Sequence, residues 1–438
     1  MRKRLFTIAA IIAIAIGASA QKLTLQECLG RGLENNYSLR ITRNKEQVVH
    51  NNATLANAGY LPSLDLKAGY NASLSSSNSK LRSTGEIQEV RNSFDQGLNA
   101  GIGLNWTIFD GFSISTNYKQ LKELERMGEL STRIELEDFI ANLTAEYYNF
   151  IQQRQRLENY YYAVQLSRER LRIVEERYNI GNFSRLDYQQ AKVDFNADSA
   201  QYIKQQEIVL TSRIALNEMM AIDEVYTPIE TYETDIVADT TIVFGVLWER
   251  ILSNNANLLL ADRNNRMVQL DYQKVLSRNY PYVKLNAGYD YTYNKYNTNS
   301  HTRRNNWGGN AGVTVGFNLW DGNRKRQMRN AKIEIANAEL QRNQLELALK
   351  AELGNLWQAY RNNIQLLNLE KQNVITAREN HDIAKERYML GDISGIEMRE
   401  AQKSLLDAEE RLISVEYETK LCEISLMQIS GEVGKYLK

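Results

Sequence analysis

Residues 177–191 read RYNIGNFSRLDYQQA, and residues 387–401 read RYMLGDISGIEMREA. Each stretch closes a long polar helical pattern with a Gly and, a few residues later, offers a Ser that opens a second helical pattern. Gly after a helix supplies the left-handed residue that ends it. Ser184 with Asp187, and Ser394 with Glu397, have the S-x-x-D/E spacing of a capping box for the returning helix. Both copies therefore predict a tight αα-hairpin tip.

Outward from the first tip, residues 113–180 are helical with almost no break. Ile140, Leu143, Tyr147, Phe150, Leu157, Tyr161, Val164, Leu171, Val174 and Tyr178 fall on a 3-4 spacing, with Arg154 and Arg168 on two steps of the same stripe. At 1.5 Å per residue such a helix is about 100 Å long. The chain carries only three Pro, at 62, 228 and 281, which favours long helices. The helices before each strand pair and after each tip are roughly half as long, so two in line would match one long helix.

A second period precedes the long helix. Leu64, Leu66, Ala68, Tyr70 and Leu74 alternate with Asp65, Lys67, Gly69, Asn71 and Ser73. Leu98, Ala100, Ile102, Leu104 and Trp106 alternate with Asn99, Gly101, Gly103, Asn105 and Thr107. Period two predicts strands with one apolar and one polar face. The Ser-, Asn- and charge-rich stretch 75–96 between them reads as a loop.

The same order then recurs. Tyr280-Pro281 repeats Leu61-Pro62 and Ala287-Gly288-Tyr289 repeats Ala68-Gly69-Tyr70, both shifted by 219 residues, while Arg387-Tyr388 repeats Arg177-Tyr178 shifted by 210. The predicted order is a signal peptide at 1–20 and a first repeat at 21–225. That repeat has a helix, strands at about 62–75 and 97–109, a long helix 113–180, a tip 181–184 and a helix 184–220. A linker covers 226–243. The second repeat, 244–438, has a helix, strands at about 282–295 and 307–320, a long helix 323–390, a tip 391–394 and a helix 394–430.

Residues 1–20 have a basic start (Arg2, Lys3, Arg4), an apolar run and an Ala18-Ser19-Ala20 cleavage site, as a secretory signal has. Its removal leaves 50 basic against 53 acidic residues, scattered and with no footprint for nucleic acid. No later segment is apolar for long enough to be a membrane-spanning helix. Cys28 and Cys422 do not make a disulfide framework and read as unpaired thiols. His50, His301 and His381 lack ligand spacing, and no catalytic motif or cofactor site occurs, which argues against an enzyme.

Alternating strands with Gly-, Asn-, Ser- and Thr-rich polar faces fit a membrane β-barrel with lipid outside and water within; a soluble sandwich would alternate too. The very long helices and the signal favour the barrel. Four strands cannot close one, and open edges in lipid cost several kcal/mol for each unpaired group. Three chains would give twelve strands. Helices with a narrow apolar stripe can wall a water-filled tube or form a dry bundle, and the tube alone explains their continuation from barrel strands.

This ordered set resembles the TolC-like outer membrane efflux protein family. The resemblance rests on the signal, the repeat, the Leu61-Pro62 and Tyr280-Pro281 strand starts, the Asp110-Gly111 and Asp321-Gly322 strand ends, and the two RY-x-x-G tips. It implies an α+β membrane protein with two tandem repeats, built as a homotrimer. Its trimeric 12-stranded β-barrel in the outer membrane would continue into a periplasmic α-helical barrel. The implied function is an exit channel of a multicomponent efflux or secretion system, taking substrates from a periplasmic adaptor (membrane fusion) protein and an inner-membrane transporter. In such proteins acidic residues after the second tip ring the entrance. The matching positions are Glu397 and Glu400, with Asp187 and Gln190 in the first repeat; for Asp187 and Glu397 the capping box is an equal reading. Family members often carry a basic latch residue where this chain has Ile393. Adaptor contact at the tip turns points to Ile180, Gly181, Leu390 and Gly391. The alternative is a barrel-anchored envelope spacer or adhesin without transport.

Overall fold

The structure, a computed structural model, describes residues 21–297 and 302–437. The signal segment 1–20 and His301 lie outside the described residues. In chain order the elements are β1 (Gln21–Leu23), α1 (Leu25–Asn35), α2 (Tyr37–Asn52), α3 (Leu55–Ala58), β2 (Ser63–Lys80), β3 (Ile87–Asp110), α4 (Ser113–Asn179) and α5 (Arg185–Met219). There follow β4 (Ile229–Thr231), α6 (Phe244–Asn254), α7 (Ala256–Ser277), β5 (Tyr282–Lys295), β6 (Arg303–Gly316), α8 (Arg324–Leu390), α9 (Gly395–Ile429) and a 3-10 turn, Val433–Leu437. The molecule is mostly helical, with two sheets. Helices α4 and α8 have 67 residues each, and α5 and α9 have 35 each.

The chain divides into two compact units. One comprises Lys45–Glu129 and Ala261–Arg342 and holds the four-stranded sheet, in the order β2-β3-β5-β6. All three pairings are antiparallel. The register stacks the apolar side chains in transverse rows: Tyr70–Leu98–Tyr293, Ala68–Ala100–Tyr291–Trp307, Leu66–Ile102–Tyr289, Leu64–Leu104–Ala287–Ala311 and Trp106–Leu285–Val313. Five rows two residues apart span about 27 Å along the strands. This face is bare: Leu66 is 79% exposed, Trp307 68% and Val313 64%.

Three elements depart from the sequence reading. First, the expected loop 75–96 is largely strand: β2 runs on to Lys80 and β3 begins at Ile87, pairing Ser77 with Val90 and Lys80 with Ile87. Both faces of this ribbon are wet, so its side chains carry no period, while the backbone ladder continues. Second, the strand expected at 307–320 runs from Arg303 to Gly316. Its partner β5 starts at Tyr282, straight after Pro281, so nothing in β5 remains to pair with 317–320. Third, the single helix expected ahead of each strand pair is divided, into α1 to α3 in the first half and α6 and α7 in the second.

The other unit comprises the described residues up to Asn44, Leu130–Leu260 and from Asn343 onward. Its core gathers Leu29, Leu143, Tyr147, Ile151, Leu216, Ile251, Leu353 and Leu426, each 1% exposed or less. Two Asn break helices on its border in the same way. The Asn36 amide donates to the Met219 carbonyl (3.0 Å) while its oxygen accepts from Ser38 and Leu39 N–H. The Asn255 amide donates to the Ile429 carbonyl (2.9 Å) and its oxygen accepts from Leu258 N–H. Each Asn starts a new helix and closes the last turn of a 35-residue one. In the 226–243 segment, β4 pairs in parallel with β1, an element too short to leave a period. Cys28 and Cys422 are both free thiols.

A buried charge cluster fastens the C-terminal turn. The Glu423 carboxylate accepts from Lys420 Nζ (2.9 Å), Tyr436 Oη (2.8 Å) and Asp239 N–H (2.8 Å), and Lys420 also donates to the Val237 carbonyl (3.1 Å). Burial pushes the Glu423 carboxyl up, but the Lys420 charge and these hydrogen bonds outweigh it and hold it below 4.5. The cluster is therefore intact at neutral pH and is lost as the pH falls through that lowered value. Lys420→Met should destabilise the protein by about 1–3 kcal/mol, because the buried Glu423 carboxylate loses one charged partner and keeps Lys435 (3.2 Å), Tyr436 and the Asp239 N–H. Adding Glu423→Gln should recover part of the loss. Thermal unfolding followed by circular dichroism reads both changes, and an unchanged midpoint in the single variant would refute the assignment.

Candidate functional site: the two helical tips

Both tips are built by local chemistry. At the first, Asn182 N–H donates to the Arg177 carbonyl (2.8 Å) and Gly181 N–H to that of Tyr178 (3.0 Å). At the second, Asp392 N–H donates to the Arg387 carbonyl (2.9 Å) and Gly391 N–H to that of Tyr388 (3.1 Å). These paired bonds are the Schellman closure of a helix end. It requires a left-handed residue, and Gly181 (φ +80°) and Gly391 (φ +88°) supply it. No neighbour would touch a Cβ at either position, so Gly is needed for its backbone angle alone.

The returning helices start on complete capping boxes. Ser184 Oγ accepts from Asp187 N–H (3.2 Å), and the Asp187 carboxylate accepts from Ser184 N–H (3.1 Å). Ser394 Oγ accepts from Glu397 N–H (3.2 Å), and the Glu397 carboxylate accepts from Ser394 N–H (2.8 Å) and Oγ–H (2.9 Å). The backbone bond to Ser394, then the hydroxyl bond, hold the Glu397 carboxyl below its ordinary 4.5.

A small core joins the tips. Val174, Ala191, Ala384, Tyr388, Met398 and Ala401 are buried together, with Phe183 and Ile393 packed against them. Tyr178 and Tyr188 stack with centroids 5.5 Å apart and planes 7° from parallel. Arg177 crosses from one tip to the other. Its guanidinium donates to the Met389 carbonyl (2.9 Å) and lies over the rings of Phe183 (5.3 Å) and Tyr388 (5.6 Å).

A second link between the returning helices sits further from the turns. Arg399 on α9 makes a bidentate pair with Asp198 on α5, both contacts 2.8 Å. Above all, the Asp198 hydrogen bond raises the Arg399 guanidinium further above its usual range. Arg170, nearly fully buried, pairs with Asp194, which also accepts from Gln190 Nε2 (3.0 Å).

The expected site residues fall into three positions. Asp187 and Glu397 are exposed and serve as caps. Gln190 and Glu400 are exposed and, with Asp187, Arg170, Tyr388 and Arg399, line one groove of about 540 Å³. Glu397 does not line it. Ile180 (71% exposed) and Leu390 (78%) project beside Gly181 and Gly391 at the turns. Ile393 is packed inside, so it leaves no basic latch; Arg177 and Arg399 make the cross-tip links instead. No group of His, Cys, Asp and Glu fit to hold a metal occurs among the described residues.

A family model described as outer membrane efflux protein matches residues 29–221 and 247–432. The chain belongs to that family. The outer membrane protein TolC of Vibrio cholerae is 21% identical over 439 residues, covering 98% of this chain and 95% of that protein. The Campylobacter jejuni CmeC outer membrane channel superposes with a TM-score of 0.78 at 15% identity, over 93% of this chain and 85% of that one. The Vibrio cholerae outer membrane protein VceC gives 0.74 at 17% identity, over 93% and 96%. Membership makes the chain a TolC-like efflux protein of the outer membrane, with a periplasmic extension, and not an enzyme. The matched segments include both tips.

Gly181→Ala and Gly391→Ala should each cost about 1–2 kcal/mol through backbone strain alone, read as loss of tip stability in hydrogen exchange at residues 174–190 and 384–400. The Glu397 cap should weaken only below 4.5, because a lowered carboxyl contributes above its folded value and is lost beneath it. Exchange rates unaffected by either Gly change would show that the left-handed turn is not required.

Proposed function

We propose that the chain is the outer-membrane exit duct of a multicomponent efflux or secretion system, working as a homotrimer. The observation that carries this reading is the open four-stranded sheet. It is apolar and bare on one face, and its edge strands β2 and β6 each have one neighbour. In lipid those edges must be paired. Three copies closing edge to edge make a twelve-stranded barrel, and the five apolar rows match an apolar band about 25 Å tall. The relatives named as outer membrane channels support the same use of the fold.

The helices then form a periplasmic tunnel whose entrance is the ring of tips. Glu400, with Asp187 and Gln190, sets the charge of that aperture; Glu397 belongs first to its cap. The exposed turns at Ile180, Gly181, Leu390 and Gly391 meet a periplasmic adaptor, which couples the duct to an inner-membrane transporter. Arg177 and Arg399 hold the two tips of one chain together until the partner engages.

Mass measurement in mild detergent should give three chains per particle, and a monomer would sink the barrel. In planar bilayers Glu400→Gln should weaken block by a trivalent cation roughly tenfold with the cap intact. Wild-type block in that variant would remove Glu400 from the aperture.

A further inference from the structure

The polar face of the sheet has transverse rows of its own, and one row is unlike its neighbours. It reads Lys67–Gly101–Asp290–Gly308 across β2, β3, β5 and β6. The next row on one side, Gly69–Asn99–Thr292–Asn306, has no charge, and the row on the other side carries Asp65 alone. Only here among these three do opposite charges share a level, with Gly between them.

The intervening Gly shapes the level. A Cβ on Gly101 would collide with Asp290 Oδ1. The Asp290 carboxylate therefore lies down over Gly101, in the direction of Lys67, and does not stand up from its own strand. The same habit places the Asn99 amide over Gly69 and the Asn310 amide over Gly288, each 2.8 Å from where a Cβ would be. With strands about 4.8 Å apart, the backbones of Lys67 and Asp290 are about 10 Å apart. That is about one Debye length at physiological salt, and the lean of the carboxylate closes part of it. Each charge then offsets the field the other presents to a passing ion.

We propose that Lys67 and Asp290 form a charge-balanced ring that sets the ion preference of the barrel lumen. The proposal rests on the barrel reading above, with the polar face turned to the lumen. In three closed chains the row repeats, giving a belt of alternating Lys and Asp at one height. Balanced, the belt is nearly indifferent to the sign of a solute. Unbalanced, it becomes a selective filter in a direction set by the surviving residue.

The test is the reversal potential of purified trimers in planar bilayers under a KCl gradient. Asp290→Asn leaves Lys67 alone and should move the permeability ratio toward chloride by roughly twofold or more. Lys67→Gln should move it as far toward potassium, and the double variant should return to the wild-type value. Should Asp290→Asn fail to assemble, Lys67→Glu carries the same test, with a larger shift toward potassium. Conducting variants that keep the wild-type reversal potential, or single variants that shift in one common direction, would overturn the charge-balanced ring. A wild-type protein without current would instead overturn the channel reading.

Discussion

A sheet edge in lipid has nowhere to put its hydrogen bonds, and under the proposed barrel this constraint governs the molecule. The sheet has four strands, and the outer edges of β2 and β6 have no strand partner among the described residues. Its apolar face is bare in a single copy. In lipid a chain so made would be unfinished alone, since each bare edge would leave a row of N–H and C=O groups unsatisfied at several kcal/mol apiece. The proposed symmetric closure would satisfy edge and face together. The other unit needs no such help, because its core is already packed, its buried Lys420 and Glu423 are paired and Tyr436 donates to the same carboxylate.

The two halves of the sequence use the same local devices with different side chains. Asn36 and Asn255 break helices at matching points and reach the last turn of the 35-residue helices. Both tips close on a left-handed Gly and reopen on a capping Ser. The links between the tips are unequal, however. Arg177 crosses to the Met389 carbonyl and Arg399 crosses to Asp198. Duplicated architecture with unduplicated links gives each tip its own character, which an aperture built from alternating copies would inherit.

The features legible in the sequence are those whose cause is local. A Gly at a helix end and a Ser three residues before an acid state their geometry within four or five residues, so both tips could be read directly. Strands with one dry face declared themselves by period two. The wet ribbon beyond residue 75 did not, because nothing distinguishes its two faces. Asp198 and Arg399 are 201 residues apart in the chain, and each alone looks like an ordinary charge on a solvated helix. Tyr388 read as part of a repeated motif, yet its burial under Arg177 depends on the other tip. Strand β1 is too short for any pattern, and only its partner β4 gives it shape.

The matched helix lengths have a consequence for how such a chain can change. Arg177 near the end of α4 meets the Met389 carbonyl near the end of α8, and the two helices have 67 residues each. One extra turn in either would carry its end about 5.4 Å past the other and break every cross-tip contact at once. An insertion in one helix would need a match in the other, whereas the two hairpins already differ, at 18 and 24 residues against 14 and 14. The tip contacts would therefore tie the two long helices to a common length, a tie that the hairpins do not share.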